Sequence, residues 1–323
     1  MKFVRMACAA AALLLASQAF AADTYPSHSI RMIIPAAPGG AVDGIARVLA
    51  LKLSTSLGKP VVPENRPGAG TLLASQMLAD APADGYTILI CTSSHAVNAA
   101  VRKSTPYDSL NSFVDVSLVA SVPDMLVVNA SSPYHSVADI IAAAKKEPGK
   151  LTFGSAGQGS GSELDAELFK SLSDINLLHV PYRGGTPAVT GLMGNETQMM
   201  FLSLPALVPQ VKAGRLRAIA VTTPVRSPLF PQTPTMAEAG VAGYSTASWY
   251  GVLVPAKTSP EIVKLLNQKI NEALKMPDVR EKLAAIGVDA VGTTTEYFTD
   301  YMKKDIARWQ QVVAKSPQLR MAN

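Results

Sequence analysis

Along most of this chain, short β-branched runs alternate with longer stretches in which apolar residues recur every three or four positions. That is the pattern of strands feeding helices in an α/β fold with mainly parallel sheets. Residues 29–35 (SIRMIIP) predict a strand and residues 36–40 a turn. Asp43 then reads as an N-cap, with Ile45, Ala46, Val48, Leu49, Leu53 and Leu57 near helical spacing and Gly58 as the stop. Val61 and Val62 open a second strand, residues 66–70 turn into a helix over 71–78, residues 87–91 form a third strand, and residues 92–95 begin a loop. Three times a strand runs into a small, polar or Gly-rich turn and then a helix.

A second set of elements begins near Asp124, with strands over 125–128, 151–154, 178–181, 198–202 and 217–222 and helices such as 137–146 and 163–172. Residues 249–255 (WYGVLVP) add a strand, after which only helical patterns follow. Ser259-Pro260 has the chemistry of a helix start, Ile262, Leu265, Leu266, Ile270 and Leu274 form an apolar face, and a last helix is expected over 295–314. Two lobes joined by two crossings fit this order. Residues 23–123 with 246–323 would form the first lobe and 124–245 the second, the return crossing falling within 224–249.

The N-terminus departs from the alternation. Lys2 and Arg5 precede an apolar run over residues 6–16, which ends in the small-x-small site Ala19-Phe20-Ala21. The run is shorter than the roughly 20 residues a bilayer span needs, so residues 1–21 predict a secretory signal cut near Ala21 and a bacterial periplasmic product. The chain carries 29 Lys and Arg against 24 Asp and Glu, and loss of Lys2 and Arg5 leaves 27 against 24. That small, scattered excess makes nucleic acid and anionic membrane poor partners. Of the two cysteines, Cys8 goes with the signal, so no internal disulfide is available and an ordinary core must stabilise the product. Cys91 ends an apolar strand and reads as a buried thiol.

Candidate chemistry lies in the loops after the strands, where open α/β sheets bind ligands. Unpaired N–H groups at helix starts, with the helix dipole behind them, make anion sites. Ala36-Ala37-Pro38-Gly39-Gly40-Ala41 lets the backbone approach a ligand, and Arg66-Pro67-Gly68-Ala69-Gly70-Thr71 repeats the design. Thr92-Ser93-Ser94 adds hydroxyls, and residues 154–162 supply N–H groups, Ser155, Ser160 and the amide of Gln158. Arg183, after a strand, has the fork that pairs with carboxylates. A dinucleotide reading of the 154–162 loop fails, because Gly157 and Gly159 fit G-x-G-x-x-G but Ser162 stands at the third glycine. The four histidines, His28, His95, His135 and His179, have no metal-ligand spacing, and no HExxH, CxxC or GxSxG occurs. No catalysis, metal or cofactor is expected.

At these loops the chain resembles the Bug-type extracytoplasmic solute receptors of tripartite tricarboxylate transporters. The matching stretches are Pro38-Gly39-Gly40-x-x-Asp43-x-x-Ala46-Arg47, Glu64-Asn65-Arg66-Pro67-Gly68-Ala69-Gly70, Ala83-Asp84-Gly85-Tyr86-Thr87, Gly154-Ser155-Ala156-Gly157, His179-Val180-Pro181-Tyr182-Arg183-Gly184, Thr233-Pro234-Thr235-Met236-Ala237-Glu238-Ala239-Gly240 and Trp249-Tyr250-Gly251. They fall in family order over nearly the whole exported part. The resemblance implies a two-lobed, clamshell periplasmic-binding fold, each lobe a mainly parallel sheet flanked by helices, with a small organic carboxylate between the lobes. Carried over by position, the contacts would come from Ala37, Gly39, Gly40, Ala41, Gly68, Ala69, Gly70, Thr71, Ser93 and Ser94 in the first lobe. In the second they would come from Ser155, Gln158, Ser160, Arg183 and Ser203. A monomer delivering a di- or tricarboxylate or an aromatic acid to a membrane permease is implied. The same pocket also suits a sensor presenting its closed form to a membrane kinase, while a small-acid hydrolase or isomerase lacks the residues for chemistry.

Three departures stand in the second lobe: Glu163 where the family has His, Gly191-Leu192-Met193-Gly194-Asn195-Glu196-Thr197 for Asp-Leu-x-x-Gly-Gln-Val, and Leu202-Ser203 for Asp-Asn. Loss of the acid at 202 makes an apolar, aromatic or second carboxylate end of the ligand expected there, and a cationic end disfavoured.

Overall fold

The computed structural model describes residues 25–315 and residue 320. The expected signal over 1–21, with Cys8, lies outside the described residues. No helix among those described is long and apolar enough to cross a membrane.

In the first lobe, β1 (Ile30–Ile34) feeds α1 (Ala41–Leu57). β2 (Val61–Asn65) feeds a 3-10 turn (Ala69–Thr71) and α2 (Leu72–Ala79). β3 (Thr87–Thr92) feeds α3 (Ser94–Val101), and the long β4 (Phe113–Val122) follows. The chain then builds a second sheet from β5 (Asp124–Asn129), α4 (Val137–Lys146), β6 (Thr152–Ser155), α5 (Gly161–Ser173), β7 (Leu178–Pro181), α6 (Gly185–Met193), β8 (Met199–Ser203), α7 (Leu204–Lys212) and β9 (Leu216–Val221). It returns through β10 (Ser248–Pro255) and closes with α8 (Pro260–Lys275), α9 (Pro277–Ala284), β11 (Asp289–Ala290) and α10 (Thr295–Lys315).

The six-stranded sheet has the order β11-β4-β10-β3-β1-β2 and the five-stranded sheet β7-β6-β8-β5-β9. Strands linked through helices pair in parallel: β1 with β2 and β3, and β6 with β7 and β8. The strands at the crossings run the other way, β10 against β3 and β4, and β5 against β8 and β9. The two-lobed α/β fold is as expected, but its sheets are mixed rather than mainly parallel. Only Pro123 separates β4 from β5, so no helical crossover restores the strand direction as the chain changes sheets.

Alternation within the strands builds the two faces of the first sheet. Met32 and Ile34 join Ile45, Leu49, Leu266 and Ile270 of α1 and α8 on one side. Ile33 joins Leu78, Trp249, Phe298 and Met302 on the other, facing α2 and α10. Cys91 lies in this second layer, 2% exposed, and burial pushes its thiol up, as expected of a core cysteine. The second lobe has its own aromatic centre in Phe153, Phe169, Phe201 and Tyr244.

Local signals held where capping is local. Gly58 ends α1 with φ 69°, and the Ser259 hydroxyl accepts from the Ile262 N–H. Asp43 is not the N-cap of α1. Gly40 holds that place without a side-chain bond, and Asp43, in the first turn, reaches back to accept from the Gly39 N–H at 3.0 Å. Residues 94 and 95, expected in a loop, open α3, and β11 pairs with β4 within the stretch expected to hold only helices. Neither α3 nor β4 was predicted; β4 is buried at nearly every position, so it lacks the alternation that marks a half-exposed strand.

Candidate functional site

The first loop of the site is tied down from behind. Asp43 is 5% exposed and receives the Gly39 N–H, Arg47 Nε at 3.0 Å and Asn65 Nδ2 at 2.9 Å. Burial alone raises its carboxyl, but bonds from Arg47, Gly39 and Asn65 more than offset this and hold it below the ordinary carboxylate range. Asn65 also donates to Ala36 O at 2.9 Å. These contacts place Ala37, Gly39, Gly40 and Ala41 at the mouth of α1. The Gly39 N–H, expected to face a ligand, is already bonded inside the protein.

The second loop is a left-handed turn. Gly68, Ala69, Gly70 and Thr71 have φ of 148°, 47°, 62° and 81°, and the Thr71 N–H donates to Gly68 O at 3.0 Å. Two of these residues carry a Cβ, and such strain costs roughly 1–3 kcal/mol each and persists only where neighbours enforce it. The enforcing groups are on α3 and at its C-terminal cap. Asn98, fully buried, donates to Gly70 O at 2.7 Å, and Arg102 Nε donates to Asn98 Oδ1 at 2.9 Å. Sequence reasoning missed Asn98 and Arg102. Their i, i+4 spacing was visible, but only with α3 recognised as a helix.

In the second lobe, the loop between β6 and α5 is held by side chains that consume its own amides. The Ala156 N–H donates to Ser162 Oγ at 2.9 Å, Gly157 N–H to Ser155 Oγ at 3.1 Å and Gly159 N–H to Glu163 Oε2 at 2.6 Å. Ser160 is the N-cap of α5. Behind the loop, Ser155 Oγ lies 2.6 Å from His179 Nε2, and His179 Nδ1 lies 3.0 Å from Glu163 Oε1. Serine, histidine and carboxylate in line are the residue types of a nucleophilic relay. Ser155 is completely buried, however, and its oxygen already accepts from Gly157, so the trio holds the loop.

The two lobes meet at these loops. A Cβ placed on Gly70 would lie 2.7 Å from Gln158 O, and one on Gly161 would lie 3.4 Å from Ser93 Oγ. Gly70 and Ser93 of one lobe are thus brought against Gln158 and Gly161 of the other. Ser94 is buried in the first turn of α3. Arg183 is exposed in the bend between β7 and α6. Ser203 is buried beside the crossing, paired in register with Asp124 and bonded to the Tyr250 hydroxyl. Leu202 packs under Gly185. A groove of about 610 Å³ lies elsewhere on the first lobe, lined by Ala99, Tyr107, Ser109 and Ile306, and touches neither loop.

Both crossings pass one buried acid. Asp124, the first residue of β5, is 3% exposed and accepts from Ser248 Oγ, the first residue of β10, at 2.9 and 2.7 Å. Asp165 of α5 is buried beside it, Tyr244 and Tyr250 face the pair, and Arg308 of α10 is the nearby cation. Burial pushes the Asp124 carboxyl from 3.8 up to about 6. Burial and the Asp124 charge push Asp165 well up as well. A raised acid binds its proton more tightly folded than unfolded, so the burial penalty is absent below the unfolded value and complete above the folded one. Stability is therefore expected to fall as pH rises from the unfolded value of 3.8 to the folded value of about 6. Urea unfolding across that range should show a flatter profile for Asp124→Asn, whose amide oxygen can still accept from Ser248. Parallel profiles for the two proteins would contradict the assignment.

The chain is similar to known proteins over nearly its whole length. The family described as tripartite tricarboxylate transporter family receptor matches residues 45–317. BugT of Bordetella pertussis is 40% identical over 297 residues, spanning 91% of each chain. A solved R. palustris protein with adipate is 36% identical, with a TM-score of 0.87 over 91% of this chain and 98% of its own. MatC from Rhodopseudomonas palustris, solved with bound malate, is 27% identical, with a TM-score of 0.86 over 90% of this chain and 100% of its own.

Proposed function

We infer the function from the premise that this chain belongs to the tripartite tricarboxylate transporter receptor family: it is a solute-binding receptor that captures a small organic carboxylate. It works in the periplasm after loss of residues 1–21, delivers its ligand to the membrane permease of a tripartite transporter, and carries out no chemistry. Residues 23–123 with 246–323 form one lobe and 124–245 the other, a division supported by the membership of the two sheets.

The observation that carries this reading is the apposition of the left-handed 68–71 turn with the 156–161 loop, each at the end of a strand in a separate sheet. A carboxylate held there has Ala37, Gly39, Gly40, Ala41, Gly68, Ala69, Gly70, Thr71 and Ser93 on one side and Gln158, Ser160 and Arg183 on the other. Ser155 is completely buried and acts from behind, while Ser94 and Ser203 are buried to the same degree as Ser93 and Ser160. Relatives solved with adipate and malate support a dicarboxylate. Leu202, in place of an acid, disfavours a ligand with a free amino group.

A thermal-shift screen of the exported chain with adipate, malate and aromatic acids, against amino acids and sugars, tests this. An acid at 100 times its Kd stabilises the folded state by roughly 2.7 kcal/mol. A shift confined to one class of acid is expected. A preference for amino acids or sugars would overturn the reading.

A further inference from the structure

The departure at position 163 has a structural counterpart. Glu163 carries a carboxylate that can only accept hydrogen bonds, and it sits in the first turn of α5 with both oxygens engaged. One accepts from the Gly159 N–H at 2.6 Å, inside the loop that meets Gly70. The other lies 3.0 Å from His179 Nδ1, so the neutral imidazole must carry its proton on that nitrogen. His179 Nε2 is then an acceptor, and at 2.6 Å it is a nearer partner for the Ser155 hydroxyl than Gly157 O at 3.3 Å, so the hydroxyl points at the ring. The Ser155 oxygen is left to accept from the Gly157 N–H at 3.1 Å, at the other end of the same loop. The ring is fixed by stacking on Phe153, with centroids 4.8 Å apart and planes 11° from parallel. One carboxylate, through one imidazole and one hydroxyl, thus governs the amides at both ends of a tight turn.

We propose that Glu163 and His179 are positioning residues for ligand capture: they fix the direction of the Ser155 hydroxyl and hold residues 157–159 in the shape that closes on the 68–71 turn. This rests on the receptor reading above. It also carries a consequence for ligand chemistry. The Ser155 hydroxyl hydrogen is committed to His179, so Ser155 does not donate to a ligand carboxylate. Any anionic group on the second-lobe side must be met by Gln158, Ser160 or Arg183.

The test uses the exported chain and three variants. Glu163→Ala removes both acceptor oxygens, Glu163→Gln keeps one, and Glu167→Ala breaks the neighbouring pair with Lys170 in the same helix, where Lys170 Nζ lies 2.6 Å from Glu167. The readouts are the ¹⁵N shifts of the His179 ring, hydrogen exchange at Gly157 and Gly159, and Kd for adipate as probe. In the parent the Nδ1–H tautomer is expected. In Glu163→Ala that tautomer gives way to the mixture of a free histidine, exchange at both glycines quickens at least about tenfold, and adipate Kd rises by about the same factor, roughly 1.4 kcal/mol. Glu163→Gln should fall between the two, and Glu167→Ala should lower Tm without moving the tautomer or Kd. An unchanged tautomer with unchanged exchange in Glu163→Ala would overturn the proposal, as would an equal rise in Kd in Glu167→Ala. Failure of the parent itself to bind adipate or any other acid of the screen counts against the receptor reading, while the tautomer and exchange data still decide the relay.

Discussion

Gly70→Ala is expected to bind the acid identified by the thermal-shift screen at least about a hundredfold more weakly than the parent, a loss of roughly 2.8 kcal/mol, while unfolding within a few degrees of it. The new Cβ would lie 2.7 Å from Gln158 O, backbone on the opposite lobe that cannot swing aside as a side chain would. The lobes would have to stand apart, and contacts from the second lobe would be lost or stretched. With the lobes apart that clash vanishes, leaving only the left-handed conformation of Gly70, φ 62°. For a residue with a Cβ this costs about 1–2 kcal/mol, or a few degrees of Tm in a chain this size. Calorimetric titration alongside differential scanning separates the two effects. Parent-like affinity would mean that closure does not bring these loops together.

Trp249→Ala is expected to be the most destabilising single truncation in the first lobe, by about 3–5 kcal/mol. The indole is completely buried, meets Phe298 and Tyr301 edge-on at 5.6 and 5.8 Å, and donates from Nε1 to Asp305 Oδ2 at 2.8 Å. Its removal opens a cavity between β10 and α10 and strips a donor from an acid that is 6% exposed, although Arg308 still holds that acid at 2.6 Å. No rearrangement fills the space cheaply, because Gly251, next but one on the strand, is already against the Phe298 ring. The effect reaches the site as well, since Trp249 O accepts from the Ser93 N–H at 3.0 Å. Urea unfolding measures the loss, and Trp249→Phe should recover part of it. A loss below about 1 kcal/mol would show that the layer can repack.

Where the physics is local, the reading of the chain was sound. Val137–Lys146 and Leu178–Pro181 came out of periodicity with the bounds the structure gives them. Gly58 and Ser259 marked ends because a left-handed stop and a hydroxyl cap involve only neighbouring residues. The loops of the candidate site were visible for the same reason: small residues after a strand announce where backbone can come close to something else. The misreading of Asp43 also has a local form. An acid at a helix start can bond forward as a cap or backward from within the first turn, and the backward bond needed Arg47 and Asn65 to be in place.

The sequence by itself determined the alternation of strand and helix, the positions of the glycine turns, the buried state of Cys91 and, through the ordered motifs, the receptor family. Only the tertiary structure decided which strands run antiparallel, that Asn98 and Arg102 enforce the 68–71 turn, and that Ser155, Glu163 and His179 stand in line. It also decided that several N–H groups read as open to an anion are bonded inside the protein. The physical reason is one of range. Propensity, capping and period act over a turn of helix or a few residues of strand, and they are written in consecutive letters. A hydrogen bond between side chains on different elements depends on how those elements pack, and nothing in the spacing of 155, 163 and 179 along the chain encodes their meeting.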